Sequence, residues 1–236
     1  MRFLIFSDLH GNQYAWRAFL KKLPEVAFDR LVFLGDVFGY YYGQDELLRE
    51  LSRREDMIWL RGNHDQFFLD LLRGKREADT LIPRYGSTYR SAAAECAWAE
   101  ELLASKEFSL GLESEGKRIL FCHGMPEDPE AGRLYPKDPW TPELCGGYDV
   151  VICGHTHFRM IRKGEGKLWL NAGSLGQPRD GNHGGALLFD SASGAFEYLD
   201  IFYDKTPLFR EIEARDPELD KLREILERER NGKHGG

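Results

Sequence analysis

The stretch "MIWLRGNHDQFF", residues 57–68, runs from an apolar segment through a glycine directly into an amide, an imidazole and a carboxylate, Asn63, His64 and Asp65. Four apolar residues are too few for a helix and suit a strand buried on both faces. In open α/β sheets, ligands gather beyond the carboxyl ends of such strands. The same grammar recurs along the chain. "RFLIF" (2–6) leads into "SDLHGN", "LVFL" (31–34) into "GD", "RILFC" (118–122) into "HG" and "DVVIC" (149–153) into "GHTH", while "KLWLN" (167–171) ends at Asn171.

Between the first three runs lie "NQYAWRAFLKKL" and "QDELLRELSRR", with apolar residues three and four apart. That spacing predicts helices, hence βαβ units and parallel strands. Residues 87–105, rich in Ala and Glu, read as one connecting helix. "ALLFD" and "AFEYLDIFY" around "SASG" read as a hairpin. "DPELDKLREILERER" predicts a C-terminal helix at about 217–230, capped by Asp216 with Pro217 in the first turn, followed by a flexible tail. Neither a linker nor a repeat divides the chain, so 1–236 reads as a single domain.

The chain has 236 residues, 30% of them charged, and a formal net charge of −7. No Lys/Arg block before the C-terminal helix provides the footprint of a duplex nucleic-acid binder. No apolar run approaches the roughly 20 residues of a membrane span. "MRFLIF" enters "SDLHGN" without a cleavage site of small residues, so a cytoplasmic location is expected. Cys96, Cys122, Cys145 and Cys153 lack CxxC spacing and read as free thiols, with Cys122 and Cys153 turned away from the strand-end side chains into the core.

A lone Asp after a strand is ordinarily a helix cap, and a lone His a structural residue. Here the pattern is collective: of seven histidines, all but His183 and His234 fall in the strand-end segments. Carboxylates, an amide oxygen and imidazoles without thiolates suit Mn, Fe, Co, Ni or Zn better than Ca or Mg. The donors are too many for one ion, and two ions with a shared carboxylate fit the count.

Taken in order, "DLH", "GD", "GNHD", "CHG" and "GHTH" resemble the motif set of the calcineurin-like metallophosphoesterases, and "NAGSLGQPRDG" from Asn171 resembles a loop of their small bacterial and archaeal phosphodiesterase branch, with Ala172 where proline is usual. The resemblance implies a four-layer α/β/β/α sandwich of two mixed sheets flanked by helices. It implies two divalent transition-metal ions, Mn or Fe favoured over Ni, Co and Zn. Asp8, His10, Asp36 and His157 would hold one ion, and Asp36, Asn63, His123 and His155 the other. His64 would serve as proton donor or phosphate contact. The Ser/Thr protein phosphatase branch continues its "GD" as GDxVDRG, whereas this chain reads "GDVFGYYYG". The acid that orients the catalytic His in that branch is therefore missing at Gly39, and Asp65 is the candidate to replace it.

The implied activity is phosphodiester hydrolysis by in-line attack of a metal-bridging hydroxide on a small phosphate ester or nucleotide. Two cations would clamp the phosphate oxygens and ionise the water, and an imidazole would protonate the leaving group. The alternatives are a phosphomonoesterase, a dinucleoside polyphosphate hydrolase, or a metal-binding scaffold of the same fold, as in the retromer subunit. Tyr40, with Tyr41 and Tyr42, is placed to stack a base, and Arg61 and Arg179 to hold phosphate oxygens. Oligomeric state is not legible.

Overall fold

Alternation along the short apolar runs gives each strand two buried faces. In β1 (Arg2–Phe6), Phe3 and Ile5 point to one side and Leu4 and Phe6 to the other, all fully buried. The structure, a computed structural model, describes residues 1–181 and 183–227. β2 (Arg30–Phe33) and β3 (Ile58–Trp59) follow in parallel, reached through α1 (Gln13–Lys22) and α2 (Gln44–Ser52). Asn12 caps α1 by accepting the Ala15 N–H. Ile58 and Trp59 of the 57–60 run pair with β2, the Leu60 N–H donates to the Phe33 carbonyl, and the Arg61 N–H then turns to the Glu107 carbonyl. The predicted hairpin is β9 (Gly184–Asp190) and β10 (Phe196–Ile201), which completes the order β10-β9-β1-β2-β3.

The second sheet has the order β4-β5-β6-β8-β7. Its parallel centre, β5 (Lys117–Cys122), β6 (Val150–Cys153) and β8 (Lys167–Ala172), coincides with the predicted runs. The antiparallel edges β4 (Ser109–Ser114) and β7 (Arg159–Gly164) are half-exposed and polar, so no apolar run announces them. The two sheets pack face to face. Phe3, Ile5, Val32 and Leu187 of the first meet Ile119, Phe121, Val150 and Leu170 of the second.

The outer face of the first sheet, Leu4, Phe6, Leu31 and Phe33, is covered by Trp16 and Phe19 of α1, Leu47 and Leu51 of α2, and Phe68 and Leu69 of α3 (Asn63–Leu72). Burying each such side chain contributes about 1.5–3 kcal/mol. The outer face of the second sheet, with Cys122, Val151, Cys153 and Trp169, is covered by the connection 124–148 through Leu134, Trp140, Leu144 and Cys145. The four cysteines are free and buried, and Cys122 and Cys153 lie in this outer core as alternation predicts. This is the expected sandwich of two mixed sheets with flanking helices, its fourth layer being mostly irregular chain around a single 3-10 turn, Pro142–Cys145.

Two helical expectations need correction. Residues 87–105 form α5 (Thr88–Glu95), a 3-10 turn and α6 (Glu100–Ala104), not one helix. The break lets Trp98 turn back on α2, where its indole donates to Asp45 and Arg49 lies 4.8 Å above its ring. Asp216 does not cap the last helix, which begins four residues later as α8 (Asp220–Glu227); residues 217–219 of the predicted 217–230 helix form a turn instead, and 228–230 and the tail lie outside the described residues. α4 (Ala78–Tyr85) and α7 (Thr206–Arg215) complete the helices. Asp216 is buried after α7 and accepts from the Tyr42 hydroxyl (2.6 Å) and from the Ser87 N–H and hydroxyl, bracketing the loop after β2 from the far end of the chain. Among the described residues no helix is long and apolar enough to cross a membrane.

Candidate metal centre

Loops after five strands meet at one end of the two sheets. The Asp8 and His10 N–H groups donate to Gly35 and Asp36 carbonyls, the Gly154 N–H to the His123 carbonyl, and the Gly176 N–H to the Asp8 carbonyl. Asp8, His10, Asp36, His155 and His157 all adopt positive φ, between 50° and 68°. Non-glycine residues in that region cost about 1–3 kcal/mol each and cluster at functional sites. All seven residues expected to hold metal are buried.

Each aspartate divides its oxygens. Asp8 accepts the His155 N–H on Oδ2 (3.0 Å), and Asp36 accepts the His64 N–H on Oδ1 (2.8 Å). Asp8 Oδ1 and Asp36 Oδ2 are buried without a hydrogen-bond partner. Asp8 Oδ1 lies 3.3 Å from His157 Nε2, while Asp36 Oδ2 lies 3.7 Å from His10 Nε2 and 3.4 Å from His123 Nε2. Asp8, His10 and His157 thus make one set of donors, Asp36, His123 and His155 another, and Asp36 reaches both. Asn63 joins the second set, its Oδ1 3.0 Å from His123 Nε2.

Tautomers make the case for a cation. His10 Nδ1 donates to the Phe38 carbonyl (2.6 Å) and His157 Nδ1 to the Gln177 carbonyl (2.7 Å), which leaves both Nε2 atoms as lone pairs in the neutral rings. Those two Nε2 atoms face each other at 2.9 Å with no proton to share. Burial depresses the pKa of all four of His10, His123, His155 and His157, that of His155 to about 2, so the rings are held in the neutral, metal-accepting form. Burial together with the charges of Asp8 and Asp65 raises the pKa of Asp36, as expected of a carboxylate buried beside others without a counter-ion. Lone pairs facing lone pairs beside orphaned carboxylate oxygens fit a divalent cation shared among them.

His64 is buried beside the two sets. Its Nδ1 is 2.7 Å from the Tyr89 hydroxyl of α5, and burial keeps that phenol protonated. Asp65, expected to orient this ring, does something else. Its carboxylate accepts the backbone N–H groups of Gly62, Asp36, Val37 and Phe38, tying the start of α3 to the loop after β2. Burial raises its pKa to about 6 against the pull of these donors. Gly39 stands where the other branch has its acid. It has a φ of +92°, and an added Cβ would lie 2.5 Å from His64 Nδ1, so no side chain fits there and Tyr89 takes the place of the acid.

Of the expected donors, Asp36, Asn63, His155 and His157 open into a cavity of about 80 Å³, lined also by Tyr40, His64, Arg84, Tyr85, Arg133, Tyr135 and Arg179. Larger cavities of about 620 and 420 Å³ elsewhere contain none of the metal donors. Of the substrate contacts expected from sequence, Arg179 and Tyr40 are here, with the Arg179 guanidinium donating to the Tyr40 hydroxyl at 2.8 Å. Arg61 is not among the lining residues and lies 4.4 Å above the Phe108 ring. Tyr41 is wholly buried and Tyr42 is held by Asp216, so Tyr40 alone of the three faces the cavity. Sequence reasoning missed Tyr89, Arg84, Arg133, Tyr85 and Tyr135, which carry no strand-end signal.

Comparison with known proteins agrees with this fold. An uncharacterized protein of Methanocaldococcus jannaschii is 28% identical over 233 residues, covering 88% of this chain and 90% of its own length. The crystal structure of a hypothetical protein from Pyrococcus horikoshii superposes with a TM-score of 0.77 at 17% identity, covering 95% of this chain and 97% of the other. A metallophosphoesterase from Sphaerobacter thermophilus gives 0.73 at 20% identity, covering 97% and 99%. The sequence profile of the calcineurin-like phosphoesterase superfamily domain matches residues 1–194, and the chain belongs to that family.

Proposed function

We propose that the protein is a cytoplasmic, dinuclear phosphodiesterase acting on small phosphate esters or nucleotides, with Mn or Fe as the favoured ions. The observation that carries this reading is the unprotonated pair, His10 Nε2 facing His157 Nε2 at 2.9 Å, next to an Asp36 oxygen shared between two donor sets. Asp8, His10 and His157 would hold one ion, Asn63, His123 and His155 the other, and Asp36 both. When bound, two such cations draw charge from phosphate oxygens and bring the pKa of a water toward about 7.

The chain's own residues supply the rest. His64 lines the cavity with Nδ1 taken by Tyr89, so Nε2 is the nitrogen available to a substrate. If the Tyr89 hydroxyl donates to Nδ1, Nε2 carries a proton that can pass to the departing alkoxide oxygen. Arg179, fixed by Tyr40 and by Gln177 Oε1, orients the phosphoryl group by charge and leaves its buried Nε without another partner. His64 also stands within reach of His10 and Asp36 as a third donor group, which makes a ligand role the competing reading for that residue.

The test is elemental analysis after Mn or Fe loading together with turnover of bis(4-nitrophenyl) phosphate and 4-nitrophenyl phosphate. Two ions per chain and preference for the diester are expected. One ion per chain removes the dinuclear reading, preference for the monoester makes the protein a phosphomonoesterase, and full loading without turnover makes it a scaffold.

A further inference from the structure

Tyr40 holds a φ of +63°, a conformation that is strained for a bulky side chain and persists only where the surroundings over-determine it. The bonds that do so come from distant parts of the chain. Its N–H donates to the Tyr85 carbonyl (3.0 Å), the Tyr41 hydroxyl donates to the Leu222 carbonyl of α8 (3.1 Å), and the Tyr42 hydroxyl donates to Asp216 (2.6 Å). Asp216 also accepts the Ser87 N–H and hydroxyl, so one buried carboxylate ties the loop after β2 to the turn between α4 and α5. The three parts meet at Gly86. A Cβ there would lie 3.0 Å from Asp216 Oδ2, 3.2 Å from Leu222 Cδ1 and 3.3 Å from the Tyr40 carbonyl oxygen.

The loop held in this way carries a substrate contact. Arg179 donates to the Tyr40 hydroxyl and to Gln177 Oε1, each at 2.8 Å, and Gln177 Nε2 donates in turn to the Tyr41 hydroxyl at 3.2 Å. Both anchors of the Arg179 guanidinium therefore lead to the loop that the C-terminal segment grips. The metal donors do not depend on it. Among the described residues, the hydrogen bonds of the seven expected donor side chains stay within 1–194.

We infer that Asp216 is a positioning residue for phosphate binding: through Tyr42 and Ser87 it keeps the loop at Tyr40 in its strained form, and so holds the Arg179 guanidinium in place. This rests on the phosphoesterase reading, in which Arg179 takes the phosphoryl group. Removing the carboxylate leaves the Tyr42 hydroxyl and the Ser87 N–H buried without an acceptor, which costs more than the bonds themselves contribute. The loop can then relax out of the left-handed form and carry Tyr40 away from Arg179. An interaction made equally with bound substrate and transition state is lost, so the effect falls on KM and not on kcat.

The experiment uses the full chain loaded with Mn and the nitrophenyl ester that it turns over. Asp216→Ala should raise KM about tenfold and leave kcat within about twofold, with Mn content unchanged. Tyr42→Phe keeps the ring and removes one donor, so KM should rise about threefold, and it carries the test where Asp216→Ala does not fold. The deciding arm repeats Asp216→Ala in an Arg179→Gln background. A residue that acts through Arg179 should change KM there by about twofold or less. The full tenfold in that background, an unchanged KM in the parent background, or joint loss of kcat and Mn makes Asp216 a general support of the fold and overturns the inference. Inorganic phosphate titrated into the same proteins by calorimetry should show the same loss of about tenfold and the same dependence on Arg179. This arm needs no turnover. A parent that binds Mn and phosphate but hydrolyses no ester refutes the esterase reading, while the phosphate affinities still decide the role of Asp216; a parent that binds no phosphate overturns both.

Discussion

In the set formed by Asp8, His10 and His157, each imidazole is braced at Nδ1 by a backbone carbonyl, while in the set of Asp36, His123 and His155 only one is. His123 Nδ1 lies 2.9 Å from the Leu34 carbonyl, but His155 turns Nδ1 inward toward His123 at 3.0 Å and its Nε2 is buried without a partner. A braced imidazole presents one nitrogen in one tautomer and one orientation. An unbraced ring must be ordered by the ion itself. Loss of such outer bonds ordinarily lowers metal affinity about 10–100-fold. The two halves of the centre should therefore differ in affinity, the His155 half being the weaker.

Asp36→Ala offers the largest effect, because it removes the donor common to both halves. Activity should be lost almost entirely and both ions weakened, as measured by turnover and metal content. A variant that keeps both ions would end the idea of a shared carboxylate. Graded chelation comes next. The ion of the His155 half should leave first, so dialysis against increasing chelator should pass through a plateau of one ion per chain, and His155→Ala should start at that plateau. A single step from two ions to none would erase the distinction between the halves.

His64→Ala should lower the rate by roughly 10² to 10⁴ with both ions retained, the usual range for a positioned general acid. The loss should be greater for alkyl than for nitrophenyl leaving groups. Loss of an ion would place His64 among the ligands instead. Tyr89→Phe should cost less, about 1 kcal/mol or roughly fivefold in kcat with KM little changed, as one neutral hydrogen bond is worth. If KM rises and kcat holds, Tyr89 supports substrate binding and not the ring. The smallest effect belongs to His183→Ala, since that ring is exposed and packs 4.2 Å from Phe202 away from the centre; turnover should stay within a fewfold of the parent.

The cluster of buried Asp and His side chains is legible because polar residues at the ends of buried strands are rare enough to stand out, and "SDLHGN" or "GHTH" cannot be mistaken for a core. The parallel strands were legible for the same reason of unbroken apolar runs. Tyr89 and Arg84 were not, because on α4 and α5 a tyrosine or an arginine has the spacing of any helix residue. Asp65 misled by adjacency: next to His64 in sequence, it faces the backbone of another loop. The edge strands β4 and β7 escaped because half-exposed strands lack an apolar signature. Asp216 had the sequence of a cap, Asp-Pro before a helical pattern, yet three donors from Tyr42 and Ser87 claim it.

The Asp216 bracket joins two parts of the chain that lie far apart in sequence. Every expected metal ligand lies within residues 1–194, the part that the family profile matches, whereas Asp216 lies beyond it. From there it holds Tyr42, and Leu222 of α8 accepts from the Tyr41 hydroxyl, so the chain after residue 194 grips the loop that carries Tyr40. A chain ending at 194 would keep the ligands and lose the grip on that loop.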